Sequence, residues 1–149
     1  MGKYYTEKSS TNSVQTPEYV KNIAKKLLYC ETLFDPCPFN KNFDKTTDTN
    51  GLVINWKHNT FCNPPYSNCG PWLRKARTEC ERGISSCLLV KVDVLSRKYF
   101  SEIGSPCEIH LFSQKVKFLG YKHVPRFCNI LLVFKPEIKE NRWFHIPRF

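Results

Sequence analysis

The segment Asn63-Pro64-Pro65-Tyr66 combines residue types suited to gripping a planar amine. Two consecutive prolines stiffen a turn and present carbonyls with no competing N–H. The asparagine amide can accept from an amine, and the tyrosine ring can stack on a flat group. Thr60-Phe61-Cys62, just before it, is expected to be a brief strand, so the segment leaves a strand's carboxyl end. Asp35 is expected in an equivalent position, after Thr32-Leu33-Phe34 and before the breakers Pro36 and Pro38. As an alternative, Asp35 is an ordinary turn acid and the proline pair a rigid turn.

Several elements must hold these residues. Thr16, Pro17 and Glu18 read as N-cap, first helical position and an acid at the positive helix end, and Val20, Ile23, Ala24 and Leu27 continue at helical spacing. This predicts a helix over 17–28. Residues 39–59 are polar and read as a long loop in which Leu52, Val53, Ile54 and Trp56 are ready to bury. Gly70-Pro71 opens a helix with Trp72, Leu73, Ala76 and Cys80 on one face, closing at Gly83. Residues 86–92 are almost continuously apolar, as in a central parallel strand covered on both faces. A short helix over 96–103 and strands over 107–112, 115–118 and 128–134 follow, the last two forming a hairpin-like edge.

This alternation points to an open α/β sheet of Rossmann type, with ligands beyond the carboxyl ends of its strands. The reading divides the chain into a loose leader over 1–15, one domain over 16–136 and a basic, aromatic tail over 137–149. Trp56 and Trp72 read as core. His58, His110, His123 and His145 share no spacing and read as surface or core, and Asp93 reads as a ligand contact or a helix N-cap.

Lysine and arginine number 23 against 13 acidic residues, a net charge of +10 that favours polyanionic partners, nucleic acid first. No run approaches the ~18 apolar residues of a membrane span, and Met1-Gly2-Lys3-Tyr4-Tyr5 lacks a signal peptide's apolar stretch. A soluble, intracellular chain is expected. Eight cysteines in such a chain suggest reduced thiols. The pairs Cys30/Cys37, Cys62/Cys69 and Cys80/Cys87 include no Cys-x-x-Cys, and no histidines cluster with them, so no metal is expected.

Asn63-Pro64-Pro65-Tyr66 resembles the catalytic motif of amino-methyltransferases. Several further residues match the phage-type DNA N-6-adenine methyltransferase family in order: Thr16-Pro17, Phe34-Asp35-Pro36-Cys37, Asp48 with Gly51-Leu52 and Trp56, then Phe61-Cys62 ahead of the motif and Trp72 with Lys75-Ala76 after it. The likeness continues through Lys91-Val92-Asp93, Arg97 with Tyr99-Phe100, and the apolar strand ending at Phe134. It implies a reduced Rossmann-like sheet with helices on both faces that binds S-adenosylmethionine and methylates the exocyclic amine of an adenine flipped out of duplex DNA. Asn63, Pro64, Pro65 and Tyr66 would be catalytic. Thr16, Pro17, Asp35, Pro36, Cys37, Asp48 and Asn63 would hold the cofactor, with Asp48 similar to an acid near its adenine and Thr16-Pro17 near its methionine part. Tyr66, Lys91, Arg97 and Lys98 would meet nucleic acid.

The chain departs from that pattern in two ways. No glycine-rich turn follows Asp35, and only 36–59 separates the first strand from the catalytic loop, which implies an abbreviated cofactor pocket. No insertion is large enough to be a target-recognition domain, so site selection would come from loops, a second copy of the chain or an accessory subunit. The rival readings are a methyltransferase acting on RNA adenine or protein glutamine, and a degenerate domain that only binds nucleic acid.

Overall fold

A nearly continuous apolar run is satisfied only inside a covered sheet, and the run beginning at Ser86 lies there. The computed structural model describes residues 15–37, 50–104 and 106–148. Its strands are β1 (Thr60–Cys62), β2 (Ser86–Lys91), β3 (Glu108–Phe112), β4 (Asn129–Phe134) and β5 (Arg142–Ile146), arranged as β1-β2-β4-β3-β5. β1 and β2 are parallel, β4 is antiparallel to both β2 and β3, and β3 and β5 are parallel. Every strand except β4 therefore points the same way, and the chain leaves β1 and β2 at one edge, where β4 begins.

Among the described residues the α-helices are α1 (Glu18–Leu28), α2 (Asn50–Val53) and α3 (Gly70–Glu81). α1 covers one face of the sheet: Val20, Ala24 and Leu28 pack with Phe61, Cys87, Leu89, Leu131 and Val133. α3 covers the other, where Trp72, Leu73, Ala76 and Cys80 meet Cys62, Leu88, Val90, Ile130 and Leu132. Alternate residues of β1, β2 and β4 thus feed two cores, as the period of two requires. The unit β1–α3–β2 is the parallel crossover from which Rossmann-type sheets are built. The fold is the expected α/β sheet with helices on both faces, and Trp56 and Trp72 are core residues.

The structure differs from the sequence-based expectations in several places. α1 starts at Glu18 with Pro17 at its N-cap and no side-chain cap; Thr16 lies one position ahead of the cap, and its hydroxyl accepts from Asn63 Nδ2 instead. The strand expected over 32–34 is a single parallel bridge, Phe34 to Thr60. Residues 115–118 form no strand, although Val116 and Phe118 are buried; only Leu119 pairs there, with Gln15. β4 is therefore not an edge hairpin partner but lies between β2 and β3. The edge is β5, inside the segment expected as a tail and anchored where Asn141 Oδ1 accepts from Cys107 N at 2.9 Å. The helix expected over 96–103 is divided into a 3₁₀ turn at Val92–Ser96 and a π-helical turn at Phe100–Gly104, since Arg97 between them is extended. Of the loop expected over 39–59, residues 39–49 lie outside the described residues, and Asn50–Val53 is helical.

Gly51 packs so close to Pro36 that a Cβ would lie 2.1 Å from the Pro36 carbonyl oxygen, which fixes α2 against the chain that follows Asp35. α1 ends with Tyr29 in the left-handed region at φ 54°, where a non-glycine residue costs roughly 1–2 kcal/mol.

Candidate active site

Parallel pairing brings Asp35 and Asn63 to one end of the sheet. Phe34 N donates to Asn59 O, and Phe61 N donates to Phe34 O, both at 2.9 Å, so Asp35 follows a residue in register with β1 while Asn63 follows β1 itself. Asp35 Oδ1 accepts from Cys37 N at 2.8 Å, a local turn that fixes the carboxylate. Pro36 and Cys37 are buried. Asp48 lies outside the described residues.

Asn63 is 3% exposed, and its Nδ2 donates to Thr16 Oγ1 at 3.1 Å. This contact joins the start of α1 to the end of β1 across 47 residues of sequence. It also orients the amide: with the nitrogen turned toward Thr16, the oxygen is the end directed elsewhere. Pro64 and Pro65 are buried, and Pro65 leads into the 3₁₀ turn Tyr66–Asn68 with an extended backbone.

Tyr66 is held in an aromatic group. Its ring meets Phe127 edge-on at 5.5 Å and Phe118 at 6.4 Å, and Lys91 Nζ stands 4.6 Å from the Phe127 centroid and 5.7 Å from that of Tyr66. The Tyr66 hydroxyl accepts from Asn129 Nδ2 at 3.0 Å, and the same nitrogen donates to Val90 O at 3.1 Å. Asn129, at the start of β4 and in register with Lys91, is 1% exposed, and its Oδ1 is buried with no hydrogen-bond partner among the described residues. Sequence reasoning missed this residue. Its available signal was an amide opening the otherwise apolar run Asn129-Ile130-Leu131-Leu132-Val133-Phe134.

A narrow pocket beside the loop is lined by Tyr66, Cys69, Lys91, Asp93, Arg97 and Tyr99. Three of the four residues expected to meet nucleic acid, Tyr66, Lys91 and Arg97, thus share one recess. Lys98 is not brought to it; its ammonium lies 3.7 Å from Glu102 on the surface. Asp93 sits in the 3₁₀ turn and pairs with Arg97 at 3.4 Å. Burial pushes the Cys69 thiol up to about 12, and Tyr99, its hydrogen-bond partner, is likewise raised to about 12 by burial. Both therefore stay protonated near neutral pH and supply dipoles rather than a thiolate or phenolate.

None of the eight cysteines is in a disulfide. Among the described residues, no three His, Cys, Asp or Glu side chains gather as a metal site, and no helix is long and apolar enough to cross a membrane.

Comparison with known proteins adds a family. The family model for DNA N-6-adenine-methyltransferase (Dam) matches residues 5–141. None of the curated proteins matches the sequence. Among solved structures, a predicted O-methyltransferase, protein Atu636 from Agrobacterium tumefaciens, is 19% identical with a TM-score of 0.38 over 88% of this chain. The chain spans 64% of that structure's length, and a likeness at that score carries no argument about function.

Proposed function

The chain belongs to the DNA N-6-adenine-methyltransferase family, and we propose that it transfers a methyl group from S-adenosylmethionine to the exocyclic amine of adenine in DNA. One observation supports this reading above all. The loop leaving β1 carries a buried amide whose nitrogen is bound to Thr16, and, three residues on, an aromatic ring pinned by its hydroxyl to Asn129. An oriented acceptor beside a fixed ring is what a planar amine requires.

The donor set at this sheet edge suits the cofactor. The Asp35 carboxylate, fixed by Cys37 N, would take its hydroxyl groups, and the Thr16–Asn63 pair would flank its amino-acid part. When bound, S-adenosylmethionine supplies the electrophilic methyl group. The chain's own residues then do three things. Tyr66 gives the flipped base a stacking surface that offsets part of the few kcal/mol of lost pairing and stacking. Asn63 Oδ1 and the Pro64 carbonyl accept from the adenine amine, turning its lone pair toward the donor and stabilising the positive charge that develops on nitrogen. The rigid proline pair keeps both acceptors in place, so positioning accounts for much of the rate. Lys91 and Arg97 lie beside Tyr66, where phosphates flanking an extruded base would need cations.

RNA adenine and protein glutamine present similar amines, and the +10 charge favours a nucleic acid over a peptide. The test offers duplex DNA, single-stranded RNA and a glutamine peptide separately, each with radiolabelled S-adenosylmethionine. Label is expected in DNA, in N6-methyladenine. Label confined to RNA or peptide, or none in any substrate although the cofactor binds, overturns the reading.

A further inference from the structure

At the opposite end of α1 from the active site, the helix stops in an unfavourable way. The left-handed position that closes a helix is ordinarily glycine or asparagine, which adopt it at little cost. Here it is Tyr29, at φ 54°, with Cys30 N donating to Lys25 O at 3.0 Å to complete the cap. The side chain gains little packing in return, since Tyr29 is 89% exposed. Helix termination alone does not account for a strained, exposed aromatic, whereas a partner that touches the ring or its hydroxyl would.

The surroundings indicate the partner's charge. Lys135, just past the end of β4, holds its Nζ 4.8 Å from the Tyr29 centroid. Lys25, Lys26, Tyr29, Cys30 and Glu31 line a shallow recess, and with Lys135 at the Tyr29 ring three lysines gather at this end of α1 beside Glu31. Lysines in a last helical turn are favoured by the helix dipole, which accounts for Lys25 and Lys26 but not for Lys135, from another element.

We propose that Lys25, Lys26, Lys135 and Tyr29 form a second contact for the sugar–phosphate backbone of DNA, remote from the base that enters the loop at Asn63. The inference rests on DNA being the substrate. The geometry suits it: α1 begins beside Thr16 and Asn63, and its 11 residues carry the chain about 16 Å to Tyr29, the length of roughly five base pairs. Lysines would pair with phosphates and the Tyr29 hydroxyl would donate to one. Such a contact would supply part of the hold on DNA that a separate recognition domain would otherwise give.

The experiment measures binding of a 25-base-pair duplex from 50 to 300 mM salt for the wild-type chain, the triple variant K25Q/K26Q/K135Q and Tyr29→Gly, with methylation at saturating DNA as a second readout. The triple variant should bind about tenfold more weakly or worse, and its log–log salt slope should fall by about 2–3. Its methylation rate at saturation should be unchanged. Tyr29→Gly should melt at a higher temperature, because glycine accepts the left-handed backbone, yet bind DNA several-fold more weakly. Wild-type slope and affinity in the triple variant overturn the proposal, as does a more stable Tyr29→Gly with full affinity. If the triple variant loses affinity while the wild-type chain forms no N6-methyladenine, the second contact stands and the catalytic reading falls. If methylation proceeds but binding is unaltered in both variants, only the second contact falls.

Discussion

Glu79 in α3 and the two asparagines at the carboxyl edge of the sheet are equally buried, at 1% for Glu79, 3% for Asn63 and 1% for Asn129, but they are bonded in opposite ways. Glu79 accepts from Lys75 Nζ at 2.9 Å, Arg82 NH2 at 2.5 Å and Trp56 N at 3.3 Å. Its charge is spent inside the fold, tying α3 to the chain ahead of β1. Each asparagine instead donates its amide nitrogen to a hydroxyl of the site, Thr16 or Tyr66, and Asn129 Oδ1 has no hydrogen-bond partner among the described residues. Saturated buried polar groups stabilise a structure, whereas polar groups kept for a site contribute less to it. The two regions should therefore respond to substitution in opposite currencies, α3 in stability and the sheet edge in rate.

The largest expected effect is at Asn63. On the proposed mechanism Asn63→Ala removes an acceptor from the reacting amine, about 3 kcal/mol of transition-state stabilisation, so the single-turnover methylation rate should fall by roughly a hundred- to a thousandfold. The melting temperature should fall only modestly, since one hydrogen bond to Thr16 is lost. A variant that is fully folded and nearly as active would remove Asn63 from the chemistry.

If Tyr66 stacks on the base as proposed, Tyr66→Ala deletes a surface worth about 1–3 kcal/mol and should lower the rate on duplex DNA roughly ten- to a hundredfold, with cofactor affinity nearly constant. Tyr66→Phe keeps the ring and loses the hydroxyl that Asn129 holds, so the rate should fall no more than several-fold, as for Asn129→Ala. Equal damage in the two variants, measured by methylation rate beside cofactor titration, would put the role in the hydroxyl instead of the ring.

Glu79→Gln gives the converse. It removes the charge from two ion pairs, one of them to the half-exposed Arg82, and should cost about 2 kcal/mol, a drop in melting temperature of about 4–8 °C, with the rate per folded molecule unchanged. The pH dependence follows in sign. Burial alone would raise the Glu79 carboxyl, but hydrogen bonds from Arg82, Lys75 and Trp56 N hold it below its ordinary 4.5. Its stabilising contribution is thus present above the unfolded-state value and lost as pH falls through the lower folded value. Thermal melts between pH 3 and 7 should show wild type losing stability below about pH 4.5 and the variant losing less. Parallel curves would contradict this assignment.

The smallest expected effect is at Asn129. Asn129→Ala frees the Tyr66 hydroxyl, at about 1 kcal/mol, and should slow methylation several-fold while cofactor affinity stays constant. Unaltered kinetics in this variant would mean that the aromatic packing of Phe118 and Phe127 suffices to fix the ring.

What the sequence made legible were features written in a few adjacent residues. β1, the proline loop and α3 are bounded by breakers and carry a clear period, and β2 reads as covered on both faces because its apolar run is unbroken. Thr16 was legible as important but not in its role: a threonine before Pro-Glu has the local form of a cap, and only the fold puts Asn63 within 3.1 Å of it. β5 escaped because four of its five residues are exposed, so Arg142-Trp143-Phe144-His145 shows no buried face from which to infer a strand. Val116 and Phe118 misled in the opposite sense, since their burial comes from packing on α1 and β4 and not from a ladder. Asn129 escaped because its importance lies wholly in what stands opposite it, Tyr66, 63 positions away in sequence.

The most direct test of the contrast is one assay on three proteins: nucleoside mass spectrometry of duplex DNA incubated with S-adenosylmethionine and the wild-type chain, Asn63→Ala or Glu79→Gln, at a temperature where melts show all three folded. N6-methyladenine should accumulate at equal rates with wild type and Glu79→Gln and be nearly absent with Asn63→Ala. If wild type forms no N6-methyladenine, or if folded Glu79→Gln is as inactive as Asn63→Ala, the division between a structural α3 and a chemical sheet edge is contradicted.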